Sequence, residues 1–253
     1  MNRFYWELIW YKATSELKAE SSRSYLGFLW WIVEPALYMV AFYIVFELVF
    51  QRGGPGFIPF LLCGLIVWKW FGSVVSGGAN AITSNSALIR QVYLPKYLLP
   101  VSILFNGTIK FLIVMCLFVL FLLLNGVVPA LAWLSLPLVI IIQFLFIACI
   151  AGFVASVVPL LPDIKLILDN VLMLLFFISG VFFDISLVPE NVKAYLALNP
   201  MAVIIESYRV ILINGNWPNF IMLGLVLFLS ILLLYVTYHI FKHYDRVYPK
   251  ILI

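Results

Sequence analysis

Residues 111–162 read FLIVMCLFVLFLLLNGVVPALAWLSLPLVIIIQFLFIACIAGFVASVVPLLP, 52 consecutive residues without one Asp, Glu, Lys, Arg or His. An α-helix crosses the hydrocarbon core of a bilayer in about 20 residues, so this stretch holds two crossings. Asn125-Gly126 and Pro129 supply the turn between them. Outward from here the 253-residue chain keeps the same character. It is 65% apolar and 10% charged, against about 45–50% and 25% in soluble domains. A soluble globule of this size needs a charged shell. The composition therefore excludes disorder and argues against an ordinary cytosolic enzyme; a formal charge of only +4 does not point to nucleic acid as a partner. Cys63, Cys116 and Cys149 lie in three separate apolar runs without metal-ligand spacing, so no disulfide framework is expected.

The expected fold is all-α and integral to the membrane, one domain over residues 1–253 with six transmembrane helices. They are drawn at residues 29–50, 57–76, 98–124, 131–158, 167–183 and 220–241, within a bundle over 29–241. Residues 1–28 mix Phe4, Tyr5, Trp6, Trp10 and Tyr11 with Glu7, Lys12, Glu16, Lys18, Glu20 and Arg23. That is too polar to span and suits an amphipathic helix at the level of the lipid headgroups. No short apolar core precedes a small-residue cleavage site, so no cleavable signal peptide is expected. Six crossings put both termini on one side. Ten cations share that side: Arg3, Lys12, Lys18, Arg23, Arg90, Lys96, Lys165, Lys242, Arg246 and Lys250. Arg52, Lys193 and Arg209 fall on the other. The termini, including the tail at 242–253, are therefore expected in the cytoplasm.

Two connections are unusual. Residues 76–97 carry Leu88, Ile89, Val92, Tyr93 and Leu94, which predicts a short helix lying on a surface. Residues 181–218 are punctuated by Pro189-Glu190-Asn191, Asn199-Pro200 and Asn214-Gly215-Asn216. The pieces between are too short to cross, and short helices dipping into the outer leaflet are expected, packed against protein or a water-filled path.

Resident chemistry is missing. There is no Gly-x-x-x-x-Gly-Lys-Ser/Thr loop, and Gly53-Gly54-Pro55-Gly56 is an outer turn. His239 and His243 stand at i and i+4 without a third ligand, and read as interfacial histidines. Asn106-Gly107-Thr108 matches a glycosylation sequon but lies inside a span. Four ionisable residues fall within spans: Glu34, Glu47, Lys69 and Lys110. Each costs about 2.5–3.5 kcal/mol at a helix centre on insertion scales. They read either as a polar path or interhelical ion pairs, or, for Glu34, Glu47 and Lys69 near span ends, as side chains snorkelling to an interface. Ala148, Gly152 and Ser156 form a stripe of small residues that permits close helix packing, within the chain or across a dimer. Aromatic residues crowd the span ends, among them Trp30, Trp31, Trp68, Trp70, Phe176, Phe177, Phe182 and Phe183. Most read as interface anchors. Some suit a conduit for sugars, whose CH faces pack on rings.

Three stretches carry a resemblance. They are Ser24-Tyr25-Leu26-Gly27-Phe28-Leu29-Trp30-Trp31 leading to Glu34-Pro35; Asn85 to Pro95 followed by Leu98-Leu99-Pro100; and Ser186 to Glu190 continuing through Leu198-Asn199-Pro200 to Glu206-Ser207-Tyr208-Arg209. In order and spacing over residues 10–212 the chain resembles the type-2 ATP-binding-cassette permeases, in the branch that exports lipid-linked polysaccharides such as O-antigen and capsule. The resemblance implies that Leu88, Ile89, Arg90, Gln91, Val92, Tyr93, Leu94 and Pro95 form a cytoplasmic coupling helix docked on a separate ATPase. It also implies re-entrant helices at the outer mouth, with Tyr208 and Arg209 joining the aromatic and charged candidates for a conduit or gate. Pro162-Asp163-Ile164 departs from the Arg-Asp-Ile often found there, and Lys165 is the nearest cation.

The implied protein is a transport subunit, not an enzyme. It would work as a homodimer above two ATPase subunits, in the bacterial inner membrane, with ATP and Mg on those partners and no cofactor of its own. Another cargo, such as a teichoic-acid precursor, a drug or another amphiphile, is an alternative. An ion-driven secondary transporter or membrane enzyme is a more distant one, since the four charges form no ordered relay.

Overall fold

The computed structural model describes residues 3–22, 25–45, 56–92, 94–185, 188–189, 193, 195–196, 198–245 and 247–251. Every regular element among them is helical. Four helices are long and apolar enough to cross a membrane: Phe57–Asn80, Leu98–Leu124, Leu131–Val157 and Phe220–Tyr244. A bent pair, Tyr5–Ser22 with Gly27–Ala41, makes five if counted as one span. We name the helices α1 (Arg3–Ser22), α2 (Trp30–Tyr43), α3 (Phe57–Asn80), α4 (Ser86–Gln91), α5 (Leu98–Leu124), α6 (Leu136–Val157), α7 (Asp163–Ile178), α8 (Pro200–Leu212), α9 (Phe220–Tyr244) and α10 (Tyr248–Ile251). Of the first expected span, residues 46–50 lie outside the described residues, as do Glu47, Arg52, Gly53-Gly54-Pro55, Tyr93, Ser186-Leu187, Glu190-Asn191, Arg23 and Arg246.

The uncharged stretch makes α5 and α6, and its turn signal works through a specific hydrogen-bond pattern. Gly126 takes φ 82°, a left-handed conformation that costs glycine nothing. Its N–H donates to Leu123 and that of Val127 to Leu122, both at 3.1 Å, so two carbonyls left over at the end of α5 are satisfied. At α9, the Asn219 side chain caps the start by accepting from Ile221 and Met222 N–H at 3.1 and 3.2 Å. The fifth expected span is corrected. Here α7 covers Asp163–Ile178, beginning four residues earlier than expected and ending five earlier, because Ser179-Gly180 turns the chain with Gly180 at φ 73°.

Lipid offers helices no hydrophobic reward for pairing, so the bundle depends on close backbone approach. A Cβ on Gly78 of α3 would sit 3.0 Å from the Ala151 carbonyl oxygen of α6. One on Gly107 of α5 would overlap the Val74 side chain of α3. One on Gly152 would lie 3.1 Å from Thr237 of α9, so Gly152, the middle residue of the Ala148, Gly152 and Ser156 stripe, packs within the chain against α9. These contacts build a large core from α3, α5, α6 and α8, with Trp70 stacked on Phe111 at 4.1 Å. A second core gathers Ile82, Ile89, Leu94, Leu98, Phe241 and Tyr248 at the bundle end that carries α4. Helix α1 lies across α5, burying Ile9, Ala13 and Leu17 at intervals of four and leaving Trp10 and Tyr11 exposed. The chain then bends by 96° into α2, with Gly27 at φ 52° in the bend.

Replacing Gly78 with Val forces α3 and α6 apart, and overpacking of this kind costs about 1–3 kcal/mol. The detergent-purified protein is expected to melt several degrees lower. Gly224→Ala on α9, where a Cβ meets nothing within 4 Å, should leave the melting temperature at or slightly above that of the parent.

Candidate functional site

Helix α3 forms the shared wall of two adjoining clefts. A cleft of about 410 Å³ opens between α2, α3 and α7, lined by Tyr38, Trp68, Lys69, Ser76, Asp169 and Phe176. A smaller one of about 200 Å³ lies between α1, α2, α3 and α5, lined by Glu20, Trp31, Glu34, Lys69, Trp70 and Lys110. Lys69 and Ser73 belong to both. The charges meet across helices: Lys69 is bonded to Glu34, and Lys110 to Glu20. Lys110 also lies 5.4 Å from the centre of the Trp31 ring, whose Nε1–H donates to Glu20 at 3.3 Å. Ion pairs between helices, not isolated snorkelling, therefore account for Glu34, Lys69 and Lys110. Lys69 stands midway along α3 rather than near a span end.

The aromatic candidates separate into groups. Trp68, Phe176, Phe177 and Phe182 form one cluster between α3 and the end of α7, with Trp68 and Phe176 at 5.6 Å and Phe176 and Phe182 at 4.7 Å. Phe183 follows, half-buried, and Trp30 is exposed on α2. Trp70 and Tyr208 are buried in the large core on either side of Phe111.

At the α4 end the sequence stretch 88–95 divides by direction. Ile89 and Leu94 are buried in the second core, while Leu88 and Val92 are 39% and 55% exposed and Arg90 and Gln91 face outward. The helix is shorter than expected, ending at Gln91 because Val92 is extended and Leu94 precedes Pro95, which disfavours helical backbone before it. Behind α4 stands a brace that gave no local signal. The Asp245 carboxylate accepts from the Lys96 backbone N–H at 3.1 Å and pairs with its ammonium at 3.7 Å, although Lys96 is 1% exposed. Tyr248 donates from Oη to the Ser156 carbonyl at 2.9 Å. Burial, and then the nearby Asp245 carboxylate, push the Tyr248 phenol above its ordinary range, so it remains a donor. Lys12 of α1 reaches the same end, donating to Asn85 at 2.9 Å.

The third feature is a clamp around Arg209. Its guanidinium donates from Nε and Nη2 to the Phe60 carbonyl at 3.2 and 3.1 Å, from Nη1 to Gly180 at 2.5 Å and from Nη2 to Val181 at 2.8 Å. It also covers the Phe60 ring at 3.4 Å. Gly64 makes room, since a Cβ there would lie 2.6 Å from Nη2. Asn199 ties the other end of α8: Oδ1 accepts from Met201 N–H at 3.0 Å, and Nδ2 donates to Ser179 Oγ at 2.9 Å.

The family profile described as "ABC-2 type transporter" matches residues 7–213. The chain belongs to the ABC-2 type transporter family. It is 31% identical over 229 residues, 90% of this chain and 88% of the relative, to the O-antigen export system permease protein RfbA of Myxococcus xanthus. A Klebsiella pneumoniae protein of the same name is 27% identical over 238 residues, 94% of this chain and 92% of its own. The polysialic acid transport protein KpsM of Escherichia coli is 25% identical over 234 residues, 90% and 89% of the two chains. The matched region of this ABC-2 chain runs from α1 through α8, and so contains both clefts, the exposed face of α4 and the clamp. Reading the sequence missed Gly64, Ser179, Asp245 and Tyr248. Only Asn199-Pro200, an N-cap followed by proline, carried a local signal for its role.

A lysine ammonium is a compact point charge that lacks the planar, spread fork with which the guanidinium reaches these three carbonyls, and a buried carbonyl left unpaired costs about 1–3 kcal/mol. Arg209→Lys and Gly64→Ala are both expected to loosen α8 and lower the melting temperature. Cys63, buried beside this clamp, should then react with N-ethylmaleimide, read by peptide mass spectrometry, at a rate well above that in the parent.

Proposed function

We propose that this chain is the permease half of an ABC exporter that moves a lipid-linked polysaccharide of the O-antigen or capsule type across the bacterial inner membrane, driven by ATP hydrolysis on a separate subunit. The observation that carries this reading is the end-to-end correspondence with relatives named as O-antigen export permeases, which extends over about nine-tenths of both chains. The reading has six spans, α2 and α7 supplying the first and fifth, and both termini in the cytoplasm, where the cation count puts them.

Two copies would enclose the path, because one slender bundle cannot surround a polymer. Each copy contributes the aromatic and charged wall of its clefts. Aromatic faces accept the CH faces of sugars while paired charges supply hydrogen bonds at the edges. Two ATPase subunits, which bring ATP and Mg, would sit against α4 through Leu88, Arg90, Gln91 and Val92, with Ile89 and Leu94 holding the helix to the bundle. Helix α8 would stand at the outer mouth as a re-entrant segment. A deletion strain should lose surface polysaccharide, accumulate the lipid-linked polymer inside, and recover on complementation. A strain that keeps its surface polymer, or that instead retains a teichoic-acid precursor or drug, overturns the cargo.

Leu88→Asp with Val92→Asp changes only exposed positions, so the permease should still purify and melt normally. Its complex with the ATPase is expected to lose most transport and most permease-dependent ATP hydrolysis. Ile89→Ala removes a buried side chain, which costs about 2–5 kcal/mol, and should instead lower the melting temperature.

A further inference from the structure

We propose that the smaller cleft is a site for the phosphate or diphosphate head of a lipid-borne substrate, and that Glu20 and Glu34 occupy that group's place in the present conformation. This rests on the exporter reading above, and it names the part of the cargo that the cleft would hold.

The two cations and the two anions come from different bodies. Lys69 is on α3 and Lys110 on α5, helices joined by the Trp70 and Phe111 stack and by the fit of Val74 against Gly107. Glu34 is on α2 and Glu20 on α1, the pair that meets at the 96° bend. Ammonium groups therefore stand on a packed wall, and their counterions stand on the elbow facing it. Moving the elbow away would strip both counterions at once. Two ammonium groups beside a low-dielectric core then attract any dianion small enough for about 200 Å³.

An independent observation points to the same ligand. Trp70 is 3% exposed, yet its Nε1–H has no acceptor among the described residues. That nitrogen lies 3.8 Å from where a Cβ on Gly107 would be, and both residues line the cleft. A buried N–H without an acceptor carries its full desolvation cost. A carboxylate on the elbow satisfies the lysines but leaves this donor unanswered. A diphosphate joining lipid to glycan, with four non-bridging acceptor oxygens and two negative charges, matches two ammonium groups and one indole N–H.

Glu20, Glu34, Lys69 and Lys110 sum to zero formal charge, so a phosphate would enter by exchange, two carboxylates leaving as one dianion arrives. The exchange leaves the wall neutral and breaks both ion pairs that tie the elbow to it. Loading the site and releasing the elbow would thus be one event.

The sign of the variants tests this. The permease and ATPase complex in zwitterionic nanodiscs is titrated with undecaprenyl diphosphate, with undecaprenol, and with inorganic diphosphate, and binding is followed by native mass spectrometry. Lys69→Gln and Lys110→Gln should each weaken undecaprenyl diphosphate binding about tenfold or more, and Trp70→Phe, which keeps the stack and removes the N–H, severalfold. Glu20→Gln and Glu34→Gln should each tighten it about threefold or more, because the competing carboxylate is gone. Undecaprenol should bind alike in all of them. Weakening by glutamate and lysine variants alike would make the pairs purely structural and overturn the proposal. Inorganic diphosphate binding as tightly as the lipid would overturn the lipid-borne source. If the variants show the expected signs but the parent complex exports no glycan in cells, the exporter reading fails and the phosphate site stands. If export proceeds and the lysine variants bind undecaprenyl diphosphate normally, the site alone falls.

Discussion

A backbone that leaves its helix among apolar neighbours exposes carbonyls that water cannot satisfy, and in this chain the Arg209 guanidinium accepts that task for two of them, Gly180 and Val181. The constraint is severe in hydrocarbon, where each unpaired group costs several kcal/mol. Helix α7 stops at Ile178 and the chain turns through Gly180 and Val181, freeing carbonyls in the turn. Arg209 bonds both, adds the Phe60 carbonyl of α3, and sits over the Phe60 ring. The short helix α8 is thereby held buried against α3. Asn199 completes the arrangement from the other end by capping α8 and bonding Ser179 in the same turn. Without the clamp, the wall of the larger cleft would lose its support, because Phe176 packs on Phe182 just past that turn.

The charges within the bundle follow the same economy of pairing but with a different mechanical result. The hydrogen bonds described for Arg209 go to backbone carbonyls of α3 and of the turn after α7, so they persist as long as that backbone keeps its path. Lys69 and Lys110 bond to side chains on α2 and α1, and such partners can be exchanged without unfolding anything. Half-exposed ion pairs are worth little individually, which suits contacts that have to open. The molecule thus distributes its polar interactions into fixed ones at α8 and exchangeable ones at the elbow.

Much of this was legible in the sequence wherever the determining residues were neighbours. The uncharged run from Phe111 showed two helices and their turn, and Asn199-Pro200 marked the start of α8. A short apolar helix was apparent before Pro95, although its end at Gln91 depended on an extended Val92 that composition does not reveal. The charged residues could be singled out by their cost in lipid, but not their partners. Arg209 finds Phe60, and Lys96 finds Asp245, each across 149 positions, and no local pattern reports such a pairing. The same holds for Gly64. Its lack of a side chain matters only because a guanidinium arrives from α8.

Helix α3 connects every feature of the site. Phe60 and Gly64 near its start hold the clamp, Trp68, Lys69, Trp70 and Ser73 at its middle line the clefts, and Ala81 and Ile82 just past its end are in the core that holds α4. At 1.5 Å per residue, its 24 residues form a rod about 36 Å long. Its packing against α5 and α6 through Gly107 and Gly78 leaves little freedom to bend. A displacement applied to the exposed face of α4 would therefore reach the clefts and the clamp together, carrying α8 with α3. The elbow of α1 and α2 is fastened differently, with Lys69–Glu34 and Lys110–Glu20 among the ties nearest the clefts. Relative motion is then most readily taken up between the rod and the elbow, along the surface where the smaller cleft lies.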